Sequence, residues 1–321
     1  MEKMKLVILD GHTQNPGDLN WDYIEENFDT TVYDRTPKEL VIERSRDADV
    51  IILNKVELKR EIIEQLPKLK FVALLATGYN QIDCVALKER NIPVSNIPSY
   101  STNGVAQMVF SYILEISNRV SVYSEAVRNY EWSQCQDFCF TKTPLHEISG
   151  KTIGIIGFGK IGRKVAEIAN AFGMNVLSYT PSGKKDNAGF VSFTDIEELK
   201  EKSDYITLHC PLNEKTKELV DKEFLQGVKD GSVLINTARG GIINERDVAD
   251  ALEKGKLSYY AADTLTSEPP QFDNPLLNAP NCIITPHIAW AGFETRVRLL
   301  SILNDNIKAF LNGNPINVVN M

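Results

Sequence analysis

The chain has 321 residues, 43% of them hydrophobic and 24% charged, with a formal net charge of -8. That length predicts two domains, each able to bury a core without disulfides or metals. An acidic chain with no basic block is a poor binder of nucleic acid or anionic membrane, so neither is expected as a partner.

Only four apolar residues, Leu6 to Leu9, precede Asp10. A signal peptide needs a longer apolar core and a membrane span about 20 such residues, so a cytoplasmic setting is expected. The first hundred residues then alternate strand and helix signals. Residues 5–9 and 50–53 are short buried-strand runs. Between them, Thr36-Pro37-Lys38-Glu39 predicts a helix start, with Thr36 as cap, Pro37 in the first turn and Glu39 reaching back. Residues 59–65 predict a helix stopped by Pro67, and residues 71–75 a strand running into Thr77-Gly78-Tyr79-Asn80. Strands separated by helical patterns argue for a parallel, doubly wound sheet.

One long helical stretch is predicted over residues 102–130, with Val105, Val109, Ile113 and Ile116 as its apolar face, and loop-like sequence then runs to Gly150. A second strand-helix series begins at Lys151. Its predicted strands are 152–156, 175–179, 205–209, 233–236, 260–263 and 282–284. Its predicted helices are 161–172, one capped by Asp195, 244–254 closed by Gly255, and a last one over 293–311. The five cysteines, Cys84, Cys135, Cys139, Cys210 and Cys282, are an odd, scattered set and read as free thiols. Cys135 and Cys139 have no second Cys/His pair at zinc-site spacing, so no metal is expected.

Gly157-Phe158-Gly159-Lys160-Ile161-Gly162 fits G-x-G-x-x-G, follows an apolar strand and opens an apolar helix. The first glycine permits the tight turn. The second lets the backbone approach a pyrophosphate, and the third lets helix and strand pack closely. The helix N-terminus then offers free N–H groups and a positive dipole end to the phosphates. A Rossmann-type dinucleotide-binding domain is therefore predicted. The motif sits in mid-chain, so a separate alternating domain precedes it.

A ribose-binding Asp or Glu is expected about 20 residues past the glycines. Thr180 stands there, and no carboxylate follows until Asp186. A carboxylate would repel a 2′-phosphate. Its absence, with Ser182, Lys184 and Lys185 nearby, admits NADP, although the two lysines fit a solvated loop equally well. The pattern fits NAD(H) or NADP(H).

The chain has four histidines. His12 lies in a polar loop, His146 precedes the glycine motif, and His209 ends a predicted strand beside Pro211. A lone histidine is ordinarily structural. His287 has company: Arg239, Glu268 and His287 each lie just past the end of a predicted strand in one sheet. In open α/β sheets ligands sit outside the carboxyl ends of the strands, which would place all three beside a nicotinamide.

Six motifs in order resemble the D-isomer-specific 2-hydroxyacid dehydrogenase family over essentially the whole chain. They are Ala76-Thr77-Gly78-Tyr79-Asn80-Gln81-Ile82-Asp83, the glycine turn, Thr207-Leu208-His209-Cys210-Pro211-Leu212, Asn236-Thr237-Ala238-Arg239-Gly240, Asp263 with Glu268-Pro269-Pro270, and Pro286-His287-Ile288-Ala289-Trp290. The resemblance implies two doubly wound parallel-sheet domains. One is a flavodoxin-like substrate domain over residues 1–100, completed by the C-terminal helix in 289–321. The other is the Rossmann-type domain over residues 101–288. Two crossings between them would form a hinge whose closure expels water.

The resemblance also implies roles. His287 protonates the carbonyl oxygen of a small 2-oxo acid as hydride reaches C2. Glu268 accepts its other ring N–H, orients it and favours its protonated form. Arg239 holds the substrate carboxylate with a rigid fork of donors that Lys lacks. Backbone N–H groups at Thr77 and Gly78 complete the carboxylate site. Lys160 and Ile161 meet the pyrophosphate beside the glycine turn of Gly157, Gly159 and Gly162, and Thr180 stands where the family usually has an acidic cofactor-binding residue. Pro211, Thr237, Ala238 and Asp263 line the adenosine and nicotinamide positions, with Asp263 near the carboxamide. Hydroxypyruvate is the expected substrate, with glyoxylate beside it. Pyruvate, a bulkier 2-oxo acid, or a nucleotide-sensing regulator on the same fold are the alternatives. The stretch around Tyr123, Tyr130, Trp132, Phe138 and Phe140 resembles the family's dimer-forming region, so a homodimer is expected; the same residues would also suit a core.

Overall fold

A computed structural model describes residues 3–181, 183 and 188–321. Ser182, Lys184 and Lys185 lie outside the described residues. The chain divides into two compact units. One comprises Met1–Ser101 and Ala291–Met321, and the other Thr102–Trp290.

The first unit holds five parallel strands: β1 (Lys5–Ile8), β2 (Asp29–Val32), β3 (Val50–Leu53), β4 (Phe71–Leu74) and β5 (Val94–Ser95). Their order is β2-β1-β3-β4-β5, the flavodoxin-like arrangement. Every residue of β3 and β4 is buried, as expected of central strands covered on both faces. The edge strands escape a hydrophobic reading. β2 is largely exposed, and β5 is two residues long, too short to show a period.

The helix Phe293–Leu311 returns to this unit. Phe310 stacks on Phe71 with ring centroids 4.4 Å apart. Asn306 Nδ2 donates to Asn96 O, and the Val94 N–H donates to Asn320 Oδ1. The predicted cap at Thr36 is absent. Its hydroxyl donates instead to Leu9 O at 2.6 Å, and the helix starts later, over Val41–Ser45 after a short 3₁₀ turn. Tying the loop to the end of β1 satisfies a carbonyl that the cap would have left open.

The second unit holds seven parallel strands: β6 (Thr152–Ile156), β7 (Asn175–Tyr179), β8 (Val191–Phe193), β9 (Tyr205–Leu208), β10 (Ser232–Asn236), β11 (Leu257–Ala262) and β12 (Cys282–Ile284). Their order is β12-β11-β10-β9-β6-β7-β8. The chain winds outward from β6 to β8, then restarts at β9 on the other side of β6. The crevice for a ligand therefore opens at the carboxyl ends of β6 and β9.

The predicted long helix is two helices, Thr102–Asn118 and Val120–Arg128, broken where Arg119 adopts φ 51°. The first buries Val105, Val109, Ile113 and Ile116; the second buries only Ala126. No Gly or Pro marks the break, so the apolar pattern ran through it unread. No helix among the described residues is long and apolar enough to cross a membrane.

Candidate active site

The glycine turn connects β6 to the helix Lys160–Ala171. Gly157 has φ +98°, and a Cβ there would lie 2.6 Å from Cys210 N, so the turn presses against the end of β9. A Cβ on Gly162 would meet the Gly157 carbonyl oxygen at 2.2 Å, so the helix sits directly on the turn. Gly159 caps the helix with nothing within 4 Å of its Cβ position, which leaves a bare backbone face at the helix N-terminus. Two buried hydroxyls at this edge have no hydrogen-bond partner among the described residues: Thr180 Oγ1 after β7 and Thr237 Oγ1 after β10. A buried polar atom without a partner is costly unless a ligand supplies one. Open backbone, helix N-terminus and waiting hydroxyls together fit a dinucleotide.

His209 also lies here, after β9, with Nε2 2.9 Å from Thr207 Oγ1. Burial pushes its imidazole down to about 3, so it is neutral at working pH and is no proton donor.

Arg239 follows β10 in an exposed turn. The turn is braced by Asn236, whose Oδ1 accepts from Ala238 N at 3.0 Å and whose Nδ2 donates to Arg239 O at 2.9 Å. One guanidinium donor, Nη1, goes to Ala238 O at 2.7 Å. A Cβ on the next residue, Gly240, would sit 2.0 Å from the Leu265 backbone carbon. The turn carrying Arg239 therefore packs backbone to backbone on the turn carrying Glu268. Gly240→Ala must push the two apart, and overpacking of this kind costs about 1–3 kcal/mol. A lower Tm with reduced turnover is the expected result in thermal denaturation and a rate assay; unchanged values would contradict the contact.

His287 Nδ1 and Glu268 Oε2 are 2.6 Å apart. The carboxylate can only accept, so Nδ1 donates and Nε2 is left for another partner. Leu265 N donates to the other carboxylate oxygen, Oε1, at 3.2 Å, which fixes the Glu268 side chain from its own turn. The two side chains are 27% and 33% exposed, open enough for a small molecule to reach.

Arg239, Glu268 and His287 thus follow three adjacent strands, β10, β11 and β12, at one sheet edge. Pro211 follows β9 on the same edge, and its carbonyl accepts from Thr216 Oγ1. Asp263 follows β11 and is 1% exposed. Its Oδ1 accepts from Ile288 N at 2.8 Å, and its Oδ2 accepts from Ala289 N at 2.8 Å. It therefore holds the two residues after His287, a job that its sequence context did not announce. Asn236 was also missed; a lone polar residue closing an apolar strand was its signal.

Thr77 and Gly78 belong to the first unit, after β4. There the Thr77 hydroxyl donates to Ile97 O at 2.7 Å, and Thr77 O accepts from Asn96 Nδ2.

Comparison with known proteins covers nearly the whole chain. A hydroxypyruvate reductase of Blautia hydrogenotrophica is 45% identical, over 99% of this chain and 100% of that protein. A glycerate dehydrogenase of Methylorubrum extorquens is 36% identical, over 98% of each. Among solved structures, an acyclic imino acid reductase in complex with NADPH and D-Arg superimposes with a TM-score of 0.86 at 33% identity, over 98% of this chain and 100% of that one. The profile of the D-isomer specific 2-hydroxyacid dehydrogenase NAD binding domain matches residues 110–289, the stretch that carries the glycine turn, Arg239, Glu268 and His287. With its dinucleotide turn and its imidazole–carboxylate pair on one sheet edge, the chain belongs to the D-isomer specific 2-hydroxyacid dehydrogenase family.

Proposed function

We propose that this protein reduces hydroxypyruvate to D-glycerate, and glyoxylate to glycolate beside it, with NADH or NADPH. The 2.6 Å contact between His287 Nδ1 and Glu268 Oε2, one strand from Arg239, carries the reading of the chemistry. The 45% identity to a hydroxypyruvate reductase over nearly the full chain supports the choice of substrate.

Gly159, Lys160 and Ile161 would hold the pyrophosphate of the dinucleotide, with Gly157 and Gly162 shaping the turn that presents them. Thr180 would take the adenosine ribose, and Pro211, Thr237, Ala238 and Asp263 would line the adenosine and nicotinamide positions. When bound, the nicotinamide supplies the hydride. Arg239 keeps the planar carboxylate of the 2-oxo acid in a two-pronged grip and draws electron density from the carbonyl. His287 delivers a proton from Nε2 to the carbonyl oxygen, which becomes a hydroxyl. Glu268 holds Nδ1 throughout, so the ring keeps its orientation while its proton moves. Thr77 and Gly78 are assigned to the substrate carboxylate on the strength of their motif.

We further read the protein as a cytoplasmic homodimer. Free thiols at all five cysteines support the compartment. Support for the dimer comes from exposed apolar side chains after the Arg119 break: Val120, Tyr130, Trp132 and Phe138, the last 89% exposed.

A substrate panel tests the function. Hydroxypyruvate, glyoxylate, pyruvate and 4-methyl-2-oxopentanoate are each assayed with NADH and with NADPH. Hydroxypyruvate is expected to give the highest kcat/KM. Turnover with NADPH is expected because no carboxylate stands at position 180 to repel a 2′-phosphate. A strong preference for a branched 2-oxo acid would overturn the substrate assignment, and a large preference for NADH would overturn the reading of Thr180.

A further inference from the structure

Among the described residues, His287 is one of eight non-glycine residues with positive φ, at 55°. That backbone region is sparsely populated for side chains other than Asn, Asp and His, and it persists where neighbours over-determine it. The neighbours here form one half-buried chain of hydrogen bonds. Thr285 lies two residues before His287, and its carbonyl accepts the His287 N–H at 2.9 Å. Its hydroxyl is 2.5 Å from Asp263 Oδ1, and the carboxylate can only accept, so Thr285 donates.

That donation uses the single hydroxyl proton of Thr285. Tyr112 Oη lies 2.5 Å from Thr285 Oγ1 and 3.1 Å from Ala262 O; with the threonine proton on Asp263, the one phenol proton is shared between the threonine oxygen and that β11 carbonyl. Tyr112 is 4% exposed on the helix Thr102–Asn118, and burial pushes its phenol up to about 12, which keeps its proton in place. Asp263 passes the chain on to Ile288 N and Ala289 N, the two residues after His287. The histidine turn is thus held on both sides by one carboxylate and one threonine, and the first donor of the series stands on a helix 173 residues upstream of Thr285 in the sequence.

We propose that Tyr112 and Thr285 are positioning residues for the reaction, holding through Asp263 the backbone turn that aligns His287 with Glu268. The proposal rests on the assignment of His287 as proton donor and adds the means by which it is held. Polar groups linked in series act as a unit, so loss of any member relaxes the whole. Misplacement of a catalytic group slows the chemical step more than it weakens binding.

The test uses the full chain and the variants Tyr112→Phe, Thr285→Val, Thr285→Ser, the double variant, and His287→Asn. Tyr112→Phe and Thr285→Val should each lower kcat by about tenfold, leave KM within about twofold and leave NADH affinity, read by fluorescence titration, unchanged. Thr285→Ser should restore kcat, because it returns the hydroxyl. The double variant should be no slower than the slower single variant, because both break one series. Parental kcat in both single variants would overturn the proposal, as would a double variant whose loss is the product of the two. Thr285→Val loses one hydroxyl from a half-buried site; if it does not fold, Tyr112→Phe alone decides by the same criteria. His287→Asn separates the two claims. If it keeps turnover, the proton-donor assignment has failed. If it is inactive while Tyr112→Phe and Thr285→Val match the parent, only the positioning role has failed.

Discussion

His287→Asn should fold as the parent does and lose at least about 100-fold in kcat, since a positioned general acid contributes roughly 10²–10⁴-fold. Asn is the informative replacement. It tolerates the left-handed backbone at φ 55° better than most residues, so the turn after β12 keeps its shape. Its amide can still approach Glu268. What it lacks is a titratable nitrogen where His287 has Nε2. The alkoxide that forms as the carbonyl is reduced must then take its proton from water. The loss should appear in both reaction directions, because the same group removes the proton when the hydroxy acid is oxidised. Steady-state rates with circular dichroism and NADH titration check the result. Near-parental turnover in a folded variant would refute the assignment.

Arg239→Lys should lower kcat/KM for the 2-oxo acid by roughly 10- to 100-fold while NADH affinity holds, since a charge-assisted hydrogen bond is worth about 1.5–3 kcal/mol. Lysine preserves the charge, so any loss reports the geometry of the fork and not the electrostatics. Arg239 already spends Nη1 on Ala238 O, and Asn236 braces its backbone. The fork is therefore pre-oriented at the sheet edge, which a flexible ammonium cannot reproduce. Unchanged kcat/KM with lysine would show that point charge alone suffices. A loss in NADH affinity equal to the loss in kcat/KM would move Arg239 from substrate to cofactor.

Both effects follow from the way parallel sheets are wound. The loops after β10, β11 and β12 leave one edge, and strands about 4.8 Å apart bring their first loop residues together whatever the intervening helices do. Gly240 shows how close the approach is, with no room for a methyl group against Leu265. A net charge of -8 is compatible with an anionic ligand at this edge, where local donors stand: a guanidinium and a helix N-terminus.

Sequence alone carried the two parallel-sheet α/β architecture and the glycine turn. Those features are written in local pattern: apolar runs of strand length, and glycines at spacings where a turn, a ligand and a helix contact each exclude a side chain. Arg239, Glu268 and His287 were singled out by one further rule, that residues past strand ends meet. Features fixed by distant partners stayed hidden. The edge strands β2 and β5 exist because β1 and β4 offer them hydrogen bonds, not because their own residues demand a strand. Arg119 breaks a helix whose apolar pattern gave no sign of it. Thr36 gave up a cap for a carbonyl on β1. Tyr112 reads in the sequence as one more large residue on a buried helix face, and only folding sets its hydroxyl against Thr285 and hence behind His287. Sequence therefore determined which chemical groups stand at the sheet edge. Tertiary structure decided how they are held, because a hydrogen bond requires a particular partner at a particular distance, and that partner lies in another part of the chain.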